Sequence, residues 1–498
     1  MRLVCVAFLV LVTAHVSEAA TCESLGSLSL PNTTVTVAQT VAAGAFTPPG
    51  RGGRGGAAFA SLPSFCRVAV TLKPTPQSDI KAEVWLPSAG WNGKLQVVGN
   101  GAWAGSISYP AMASAVAASY AAASTDTGHV GGAENATSNK EVLTDFAHRA
   151  VHETTAAAKK IIDGMYGAAP KLSYFNGCST GGRQALTAAQ RYPDDFDGII
   201  AGDPAIHGLD LALGQISYAH AMTKTPASTI PRDTLALMHK AVIDACDGND
   251  GAKDGVLENP QACRFDPKVL ACQAGTSAAA GACLTPAQVE AAQLVYDGAK
   301  DAKGKTMFPG LERGSEGGWT PTPVGYAVDL YKYLVYKDPA WNPSTLDTGN
   351  HDSLKTKAEV RLLDASNPDL APFFRSNGKL LMYHGWSDPG IPARASVNYY
   401  EAARARTGRA ATDSLRLFMV PGMGHCGGGD GVTSFDFVSE LDRWVTTGKA
   451  PATIPASRVQ AGKVERTRPL CAYPQFAVYK GKGDVNDAAS FECRASAK

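Results

Sequence analysis

A serine turn between a predicted strand and a predicted helix constrains this chain more than any other feature. Residues 177–181 read GCSTG, with Ser179 at the centre. The apolar residues 172–175 before this nucleophile turn predict a buried strand, and residues 182–191 after it predict a helix. A GxSxG sequence in that setting is the nucleophile-elbow pattern, in which the glycines permit a tight turn. We therefore predict Ser179 to be a nucleophile; the alternative is a glycine-rich turn without a reactive role.

Short apolar runs, each ending in glycine or a polar turn, predict further buried strands. Amphipathic stretches such as 144–165 lie between them and predict helices. Alternating strands and helices favour the α/β class, with a mostly parallel sheet covered on both faces. The predicted strands are residues 82–86, 95–98, 120–123, 172–175, 198–201, 380–383 and 415–420.

The alternation stops near Asp203 and resumes near Lys379, and the segment between them has a different composition. It is rich in Gly, Pro and Asp, and it holds four of the cysteines. We predict an inserted lid domain at 204–375, between two parts of a catalytic sheet domain at 21–203 and 376–498. A long irregular excursion without its own core is the alternative.

The first 20 residues predict a secretory signal peptide. Arg2 precedes the apolar run 3–12, and residues 17–19 resemble a small-residue cleavage site. The run is about half the length that a membrane-spanning helix needs. We therefore expect a secreted or periplasmic protein that does not enter a membrane.

Cysteine usage supports an oxidising compartment. Of eleven cysteines, Cys5 lies in the predicted signal peptide, and the other ten form an even set that favours disulfides over metal thiolates. No CxxC pair occurs, which argues against a zinc site. Sequence alone does not fix the connectivity. Local spacing suggests Cys22–Cys66, Cys246–Cys263, Cys272–Cys283 and Cys471–Cys493, which leaves Cys178 and Cys426.

Charge argues against a nucleic-acid partner. The chain has 46 basic and 45 acidic residues, mixed along its length. No stretch resembles a polybasic surface for nucleic acid or for a membrane. The short Gly/Arg-rich segment 48–56 is isolated, so we interpret it as a surface loop.

A serine nucleophile needs a base and an acid, which follow it along the chain in the order acid, then histidine. His425 comes after the strand 415–420 in a glycine-rich loop, with His384 and His207 as competitors. Asp388 comes after the strand 380–383, and Asp203 is the alternative acid. The acid accepts the imidazole Nδ1 proton and stabilises the imidazolium.

Acyl transfer also needs donors for an oxyanion. One candidate is the amide of Thr180, directly after the serine. The second is Gly101, in the loop 99–103 with the sequence GNGAW, which we call the oxyanion loop. The register along this loop stays open, and an ordinary glycine-rich turn is the alternative.

An acidic loop, residues 246–256, lies in the predicted insertion and reads CDGNDGAKDGV. Calcium prefers several oxygen ligands, and this loop offers carboxylates of Asp247, Asp250 and Asp254 with carbonyls of Ala252 and Val256. The spacing is not that of an EF-hand, because the sixth position is alanine rather than glycine. The alternative is an Asp/Gly surface turn.

Taken together, Cys-Ser at 178–179, Asp388 and His-Cys at 425–426 resemble the tannase and feruloyl esterase family. The resemblance extends over nearly all of the predicted mature chain. It implies an α/β-hydrolase fold with a large inserted lid domain, and a disulfide between Cys178 and Cys426. It also implies a structural calcium ion held by the five residues of the acidic loop named above.

The same resemblance implies a secreted carboxylic ester hydrolase of the feruloyl esterase or tannase type. It would cleave small esters of hydroxylated aromatic acids through an acyl-enzyme, with the ester free or attached to a plant polysaccharide or polyphenol. Two alternatives are a hydrolase of monoesters such as mono(2-hydroxyethyl) terephthalate, and a non-catalytic protein that binds phenolics or carbohydrate. Four aromatic residues could form an acyl pocket or the core of the lid, namely Trp319, Tyr326, Tyr331 and Tyr333.

Overall fold

The structure is a computed structural model that describes residues 20–49, 56–103, 105–273 and 281–495. The predicted signal peptide therefore lies outside the described residues except for residue 20. Most of the Gly/Arg-rich segment 48–56 also lies outside them.

Nine strands of the described chain form one central sheet, in the order β1-β2-β3-β5-β4-β6-β7-β10-β11. Neighbouring strands from β5 to β11 are parallel, whereas β1, β2, β3 and β5 pair antiparallel. This mostly parallel sheet confirms the α/β class. The strands are β1 Thr33–Val41, β2 Phe65–Leu72, β3 Ile80–Pro87, β4 Lys94–Val98, β5 Ala121–Thr125, β6 Leu172–Cys178, β7 Gly198–Gly202, β8 Ala299–Lys300, β9 Thr306–Phe308, β10 Lys379–Gly385, β11 Leu415–Val420, β12 Ser434–Phe435, β13 Thr453–Gln460, β14 Lys463–Cys471, β15 Gln475–Tyr479 and β16 Phe491–Ala495.

Helices cover both faces of the central sheet. The longer ones are α1 Tyr109–Ala117, α2 Ala150–Tyr166, α3 Thr180–Arg191, α4 Gly208–Thr223, α5 Arg232–Cys246, α6 Pro286–Asp297, α7 Ala393–Thr407 and α8 Phe437–Thr447. The shorter α-helices are Gly56–Ala60, Ala133–Ala136, Lys140–Thr144, Gly325–Asp329, His351–Lys355, Ala358–Leu362, Ala371–Arg375 and Arg409–Thr412.

Alternating side chains of the parallel strands enter two separate hydrophobic cores. Phe175, Ile199 and Met382 belong to the core on one face, whereas their chain neighbours Tyr174 and Ile200 belong to the core on the other. Because both faces are buried, these strands are apolar at nearly every position. This explains why they are visible in the sequence as short continuous apolar runs.

The segment between β7 and β10 contains α4, α5, α6 and several short helices, and it has hydrophobic clusters of its own. A further cluster is shared with residues before β6, among them Trp103 and Phe146. Its last part is different, because Ala365, Leu370 and Phe373 pack into a core of the central sheet. The boundaries 204 and 375 of the lid domain therefore stay predictions.

Five disulfides connect the described cysteines. Four are the pairs that spacing suggests, Cys22–Cys66, Cys246–Cys263, Cys272–Cys283 and Cys471–Cys493, and the fifth is Cys178–Cys426, which the resemblance implies. Such a set fits an extracellular protein. Within the described ranges, none of the helices has the length and apolar character that crossing a membrane would take.

Candidate active site

Ser179 lies in a strained turn between β6 and α3. Its backbone has φ 65° and ψ −121°, a region that non-glycine residues rarely occupy. The Ser179 amide donates to the carbonyl of Gly202 on β7 at 2.9 Å. A Cβ atom on Gly177 would lie 2.6 Å from the Gly181 backbone, so this position requires glycine. The turn thus presents a partly exposed serine at the carboxyl end of the parallel sheet.

Asp388 lies in the loop after β10, at the same edge of the sheet. Its side chain is fully buried, and its Oδ1 atom accepts hydrogen bonds from the amides of Gly390 at 2.8 Å and Ile391 at 2.9 Å. Its Oδ2 atom accepts from His425 Nδ1 at 2.7 Å and lies 3.3 Å from His384 Nε2. Burial raises the pKa of Asp388, but the hydrogen bonds from His384 and His425 outweigh it and hold that pKa below its usual range.

His425 lies in a loop after β11, residues 421–431, which we call the histidine loop. Its side chain is 35% exposed, whereas Asp388 behind it is buried. Burial lowers the pKa of His425, but the hydrogen bond to Asp388 has the opposite effect, and the pKa is raised overall. With Nδ1 bound to the carboxylate, Nε2 is the nitrogen available to a substrate or to a serine hydroxyl.

A disulfide connects the two sides of this site. Cys178 precedes Ser179 and Cys426 follows His425, and the Cα atoms of the two cysteines are 6.1 Å apart. The Cα atoms of Ser179 and His425 are therefore at most about 14 Å apart, although 246 residues separate them in the chain. In the described chain the Ser179 hydroxyl does not hydrogen-bond to His425, and such bonds are often long in substrate-free sites.

The competing residues make different contacts. The carboxylate of Asp203 accepts from the amide of Gly385 at 2.9 Å and does not reach His425. His384 is buried below Asp388 and bonds to Ser396 and to the carbonyl of Ile391. His207 precedes α4 and packs edge-on against Phe308, with ring centroids 5.9 Å apart. The geometry therefore favours His425 with Asp388.

The oxyanion loop packs directly against the nucleophile turn. A Cβ atom on Gly99 would lie 2.8 Å from Gly181, so the two backbones are in contact. Asn100 and Gln184 exchange two 3.0 Å hydrogen bonds: the Asn100 amide donates to Gln184 Oε1, and Gln184 Nε2 donates to Asn100 Oδ1. This pairing fixes the loop beside the start of α3. Of the two predicted oxyanion donors, Thr180 at the start of α3 is buried and Gly101 in the loop is exposed.

Comparison with known proteins agrees with this geometry. A family model described as tannase and feruloyl esterase matches residues 66–494. The chain belongs to the tannase and feruloyl esterase family. It is 36% identical to an uncharacterized esterase of Xanthomonas campestris, over 96% of this chain and 92% of the relative. It is 33% identical to feruloyl esterase C of Talaromyces stipitatus, over 95% of this chain and 94% of the relative.

A solved structure shows the same likeness. The crystal structure of feruloyl esterase B from Aspergillus oryzae superposes with a TM-score of 0.88 and 30% identity, covering 95% of this chain and 99% of that one. Family membership makes the protein a carboxylic ester hydrolase that acts on esters of aromatic acids. The resemblance and the α/β-hydrolase fold predicted from the sequence are confirmed.

The acidic loop of this esterase is buried by the C-terminal region. Arg468 of β14 forms ion pairs with Asp254 and, at 2.9 Å, with Glu258. Burial raises the pKa of Asp250 to about 6 and that of Glu258 to about 8. Ala252 packs against Cys471 and Phe491 of the C-terminal strands. Asp247, Asp250 and Ala252 of the loop are buried, whereas Gly248, Asn249, Gly251 and Lys253 are exposed.

The donor set of the acidic loop fits a hard cation. The Asp250 carboxylate is almost fully buried, and its Oδ2 atom has no hydrogen-bond partner. Asp247 accepts from the amides of Gly255 and Val256 at 3.0 and 3.1 Å, which folds the loop back on itself. An orphaned buried carboxylate oxygen among oxygen ligands suits calcium, which would be held by Asp247, Asp250, Asp254 and the carbonyls of Ala252 and Val256.

The four aromatic residues singled out from the sequence have different environments. Trp319 is buried against Tyr296, and Tyr331 is buried in a stack with Tyr336 and Trp341, so both are core residues of the insertion. Tyr333 packs at the edge of the hydrophobic cluster that contains Tyr331. Tyr326 alone of these four stacks on the oxyanion loop, through Trp103 at 4.8 Å.

Sequence reasoning missed the residues that support the oxyanion loop. The Trp103 ring lies between Tyr326 and Phe146, with ring centroids 4.8 and 5.0 Å away. Arg183 is fully buried on the other side of Phe146 and donates to the carbonyl of Ala147 at 3.0 Å. Only the run GGRQ after the nucleophile turn hinted at this, because arginine and glutamine are unusual on a helix face that packs on a sheet.

Proposed function

We propose that the protein is an exported serine esterase that hydrolyses esters of hydroxylated aromatic acids through an acyl-enzyme on Ser179. One observation carries the proposal: the buried Asp388 holds His425 Nδ1 at 2.7 Å, and a disulfide ties that histidine's neighbour to the neighbour of Ser179. Ser179, Asp388 and His425 come from three distant parts of the chain, and each follows a parallel strand at the carboxyl edge of the sheet. Ser179, His425 and Asp388 have the nucleophile, base and orienting acid roles of a catalytic triad.

The reaction begins when Ser179 Oγ attacks the ester carbonyl carbon and His425 Nε2 takes the hydroxyl proton. Asp388 stabilises the imidazolium that forms, and the amides of Thr180 and Gly101 donate to the oxyanion. The tetrahedral intermediate then expels the alcohol, which receives the proton from His425. Water attacks the acyl-enzyme by the same route, and the aromatic acid leaves with Ser179 regenerated.

Relatives and local structure support the substrate class. Similar proteins are named feruloyl esterases, and the partly exposed Tyr326 stacks on the buried Trp103 of the oxyanion loop. Aromatic side chains bind planar acyl groups by stacking. We propose ferulate-like or gallate-like esters, free or attached to a plant polysaccharide or polyphenol.

The proposal is tested with the Ser179→Ala variant, assayed on methyl ferulate, methyl gallate and a terephthalate monoester. The wild type should hydrolyse ferulate or gallate esters fastest, and the variant should fold normally but lose at least about 10³-fold in kcat/KM. A fully active variant would overturn the nucleophile assignment. A wild type that prefers the terephthalate ester would overturn the substrate class.

We further propose that calcium binds the acidic loop and stabilises the fold without taking part in the reaction. The orphaned Asp250 oxygen supports this, and so does the position of the loop against the C-terminal strands rather than beside Ser179. When bound, the ion would neutralise the buried carboxylates.

Thermal unfolding with and without a chelator tests the calcium proposal. EGTA should lower the Tm of the wild type by at least about 2 °C, because a ligand that binds the folded state stabilises it. The Asp250→Asn variant should show no such shift, whereas Asp244→Asn, an exposed helix residue paired with Lys240, should respond like the wild type. Equal wild-type Tm values in both buffers would contradict the site.

The compartment is also a proposal. Five disulfides support an oxidising environment, which fits secretion or a periplasm. Expression with the native residues 1–20, followed by cell fractionation, tests it: the protein should be found outside the cytoplasm and lack these residues. Uncleaved protein in the cytoplasm would contradict it.

A further inference from the structure

A buried histidine next to the triad takes no part in the reaction described above. His384 lies near the end of β10, and its side chain is fully buried. Two carboxylates flank it: Asp388 Oδ2 is 3.3 Å from its Nε2 atom, and Asp203 Oδ1 is 3.6 Å from the same atom. Burying an imidazole between two carboxylates costs desolvation free energy, so we ask what its contacts contribute.

The contacts of His384 fix the position of one proton. Nε2 lies 3.0 Å from the carbonyl oxygen of Ile391, and the two carboxylates are its other polar neighbours. All three are acceptors, so Nε2 must carry a hydrogen. Nδ1 lies 2.7 Å from the hydroxyl of Ser396 on α7, which can either donate or accept. The Nε2–H is therefore hydrogen-bonded to the Ile391 carbonyl and lies close to Asp388 Oδ2, whether the ring is neutral or charged.

Asp203 lacks a second donor on its other oxygen. Its Oδ1 atom accepts from the Gly385 amide, but its Oδ2 atom faces Cys178 Sγ at 3.3 Å. That sulfur belongs to the disulfide and has no hydrogen to donate. Burial raises the pKa of Asp203 to about 6. Burial lowers the pKa of His384, but Asp203 and Asp388 outweigh it and raise that pKa overall.

These contacts define what His384 does to the acid of the triad. Asp388 Oδ2 has two imidazole neighbours, His425 at 2.7 Å and His384 at 3.3 Å, while its Oδ1 atom is held by two amides. The carboxylate is thereby fixed on both oxygens. The second imidazole also withdraws part of the negative charge that His425 would otherwise feel.

We propose that His384 is a positioning residue for the ester hydrolysis: its Nε2–H holds the Ile391 carbonyl, and the Ile391 amide holds the Asp388 carboxylate, which lies 3.3 Å from the same imidazole nitrogen. Asp203 and Ser396 hold the His384 ring. The proposal rests on the proposed triad. The titratable groups facing His384 are Asp203 after β7 and Asp388 after β10, with His425 reached through Asp388; Ser396 is uncharged. Its consequence is that His384 sets both the rate and the pH at which His425 becomes a base.

Two substitutions separate positioning from packing. In His384→Gln the side-chain amide nitrogen can occupy the place of Nε2, still donate to the Ile391 carbonyl and stay close to Asp388. In His384→Asn the shorter amide reaches only towards Ser396. We expect kcat of the Asn variant to fall about 10- to 100-fold, because it loses both the hydrogen bond to Ile391 and the N–H beside the Asp388 charge, and the Gln variant to stay within about threefold of the wild type.

The pH profile of kcat/KM distinguishes positioning from packing, because it would not change if His384 served only to fill space. Without the Nε2–H, the full charge of Asp388 acts on His425 and favours its protonated form. The acidic limb, where His425 must lose its proton, should therefore move to higher pH in His384→Asn and stay in place in His384→Gln. Equal losses in both variants, or an unmoved limb in the Asn variant, would overturn the proposal.

Ser396→Ala keeps the proposal testable if the Asn variant does not fold. It frees Nδ1 and loosens the ring, so a smaller loss of about 3- to 10-fold in kcat is expected, with the limb moving in the same direction. Wild-type kcat and an unmoved limb would contradict the proposal. Ser179→Ala in the same assay distinguishes a failure of the proposed triad from a failure of the proposed role of His384. An active Ser179→Ala variant refutes the triad itself. An inactive Ser179→Ala variant, together with His384→Gln and His384→Asn variants that cannot be told apart, refutes only the role of His384.

Discussion

The two halves of the candidate triad are held by different means. Around Ser179, backbone packs on backbone: a Cβ atom on Gly177 would lie 2.6 Å from Gly181, and one on Gly99 would lie 2.8 Å from the same residue. Around His425 the base of the histidine loop is also packed, because a Cβ atom on Gly385 would lie 2.4 Å from the Met423 carbonyl oxygen, but the tip of the loop is open. A Cβ atom on Gly427 or Gly428 would have no neighbour within 4 Å.

Side chains hold that open tip. Three ties connect it to the rest of the molecule: the Cys426 disulfide, the bond from His425 to Asp388, and the ion pair of Asp430 with His239 of α5. Arg458 adds a hydrogen bond to the Gly429 carbonyl at 3.2 Å. Backbone packing cannot be removed without changing the fold, whereas reductant, acid or base can break each of the first three side-chain ties. The position of the nucleophile is therefore robust, and the position of the base depends on redox state and pH.

The largest effect should come from breaking the backbone packing. Gly177→Ala places a methyl group against the Gly181 backbone, which can yield only if the nucleophile turn shifts. We expect at least about 100-fold loss of kcat/KM, the cost of misplacing a reacting group by about 1 Å, and a loss of about 1–3 kcal/mol in the free energy of unfolding.

Steady-state assays and denaturant unfolding of the Gly177→Ala variant check this expectation. Gly325→Ala is the control, because that exposed glycine begins a short helix and its Cβ would meet nothing within 4 Å. If Gly177→Ala were as active and stable as this control, packing would not determine the position of Ser179.

A smaller effect should come from removing the disulfide tie. In Cys178→Ala with Cys426→Ala, the histidine loop keeps the bond to Asp388 and the Asp430 ion pair but gains freedom at its tip. We expect kcat to fall about tenfold, which corresponds to about 1.4 kcal/mol, with folded protein retained. Turnover and Tm are measured together.

The matched control removes the Cys272–Cys283 disulfide of the insertion, which has no contact with the triad. That double variant should lose stability but keep kcat. Normal turnover without Cys178–Cys426 would show that this disulfide is only a structural crosslink.

The smallest effect should come from the ion pairs of His239, which bridge α5, Glu316 and the histidine loop. Hydrogen bonds to Asp430 and Glu316 raise the pKa of His239 to about 10. A pKa raised on folding stabilises the folded state fully below the ordinary value of about 6.5, and this contribution is lost as the pH rises to about 10.

The Tm advantage of the wild type over His239→Gln should therefore shrink between pH 7 and pH 10. His220→Gln is the control, because burial lowers the pKa of His220 and its advantage should not shrink in this range. A difference in Tm between wild type and His239→Gln that is constant over this range would contradict a stabilising role of these ion pairs.

The sequence predicted β3 and the six parallel strands of the central sheet, and it did not predict the two outer antiparallel strands, β1 and β2. Seven buried strands stand out as apolar runs because both of their faces are covered. The edge strand β1, Thr33–Val41, alternates between exposed and partly buried residues, and β2, Phe65–Leu72, alternates between buried and partly buried ones. Neither has the continuous apolar run by which the others were recognised.

Site residues could be named where they follow a strand, as Ser179, Asp388 and His425 do. The supporting contacts could not be predicted, because they join residues far apart in sequence. Arg468 reaches Asp254 across more than 200 residues, and Trp103 stacks on Tyr326. Such pairs depend on how the insertion and the C-terminal strands pack, which no local pattern encodes.

Covalent labelling tests the central claim most directly, namely that His425 and Asp388 activate Ser179. The wild-type protein is incubated with a fluorophosphonate, and the intact mass and the modified peptide are measured. We predict one adduct, on Ser179, that is absent in Ser179→Ala and forms at least about 100-fold more slowly in His425→Ala. No adduct on the folded wild type, an adduct on another residue, or labelling of Ser179 at an unchanged rate without His425 would contradict it.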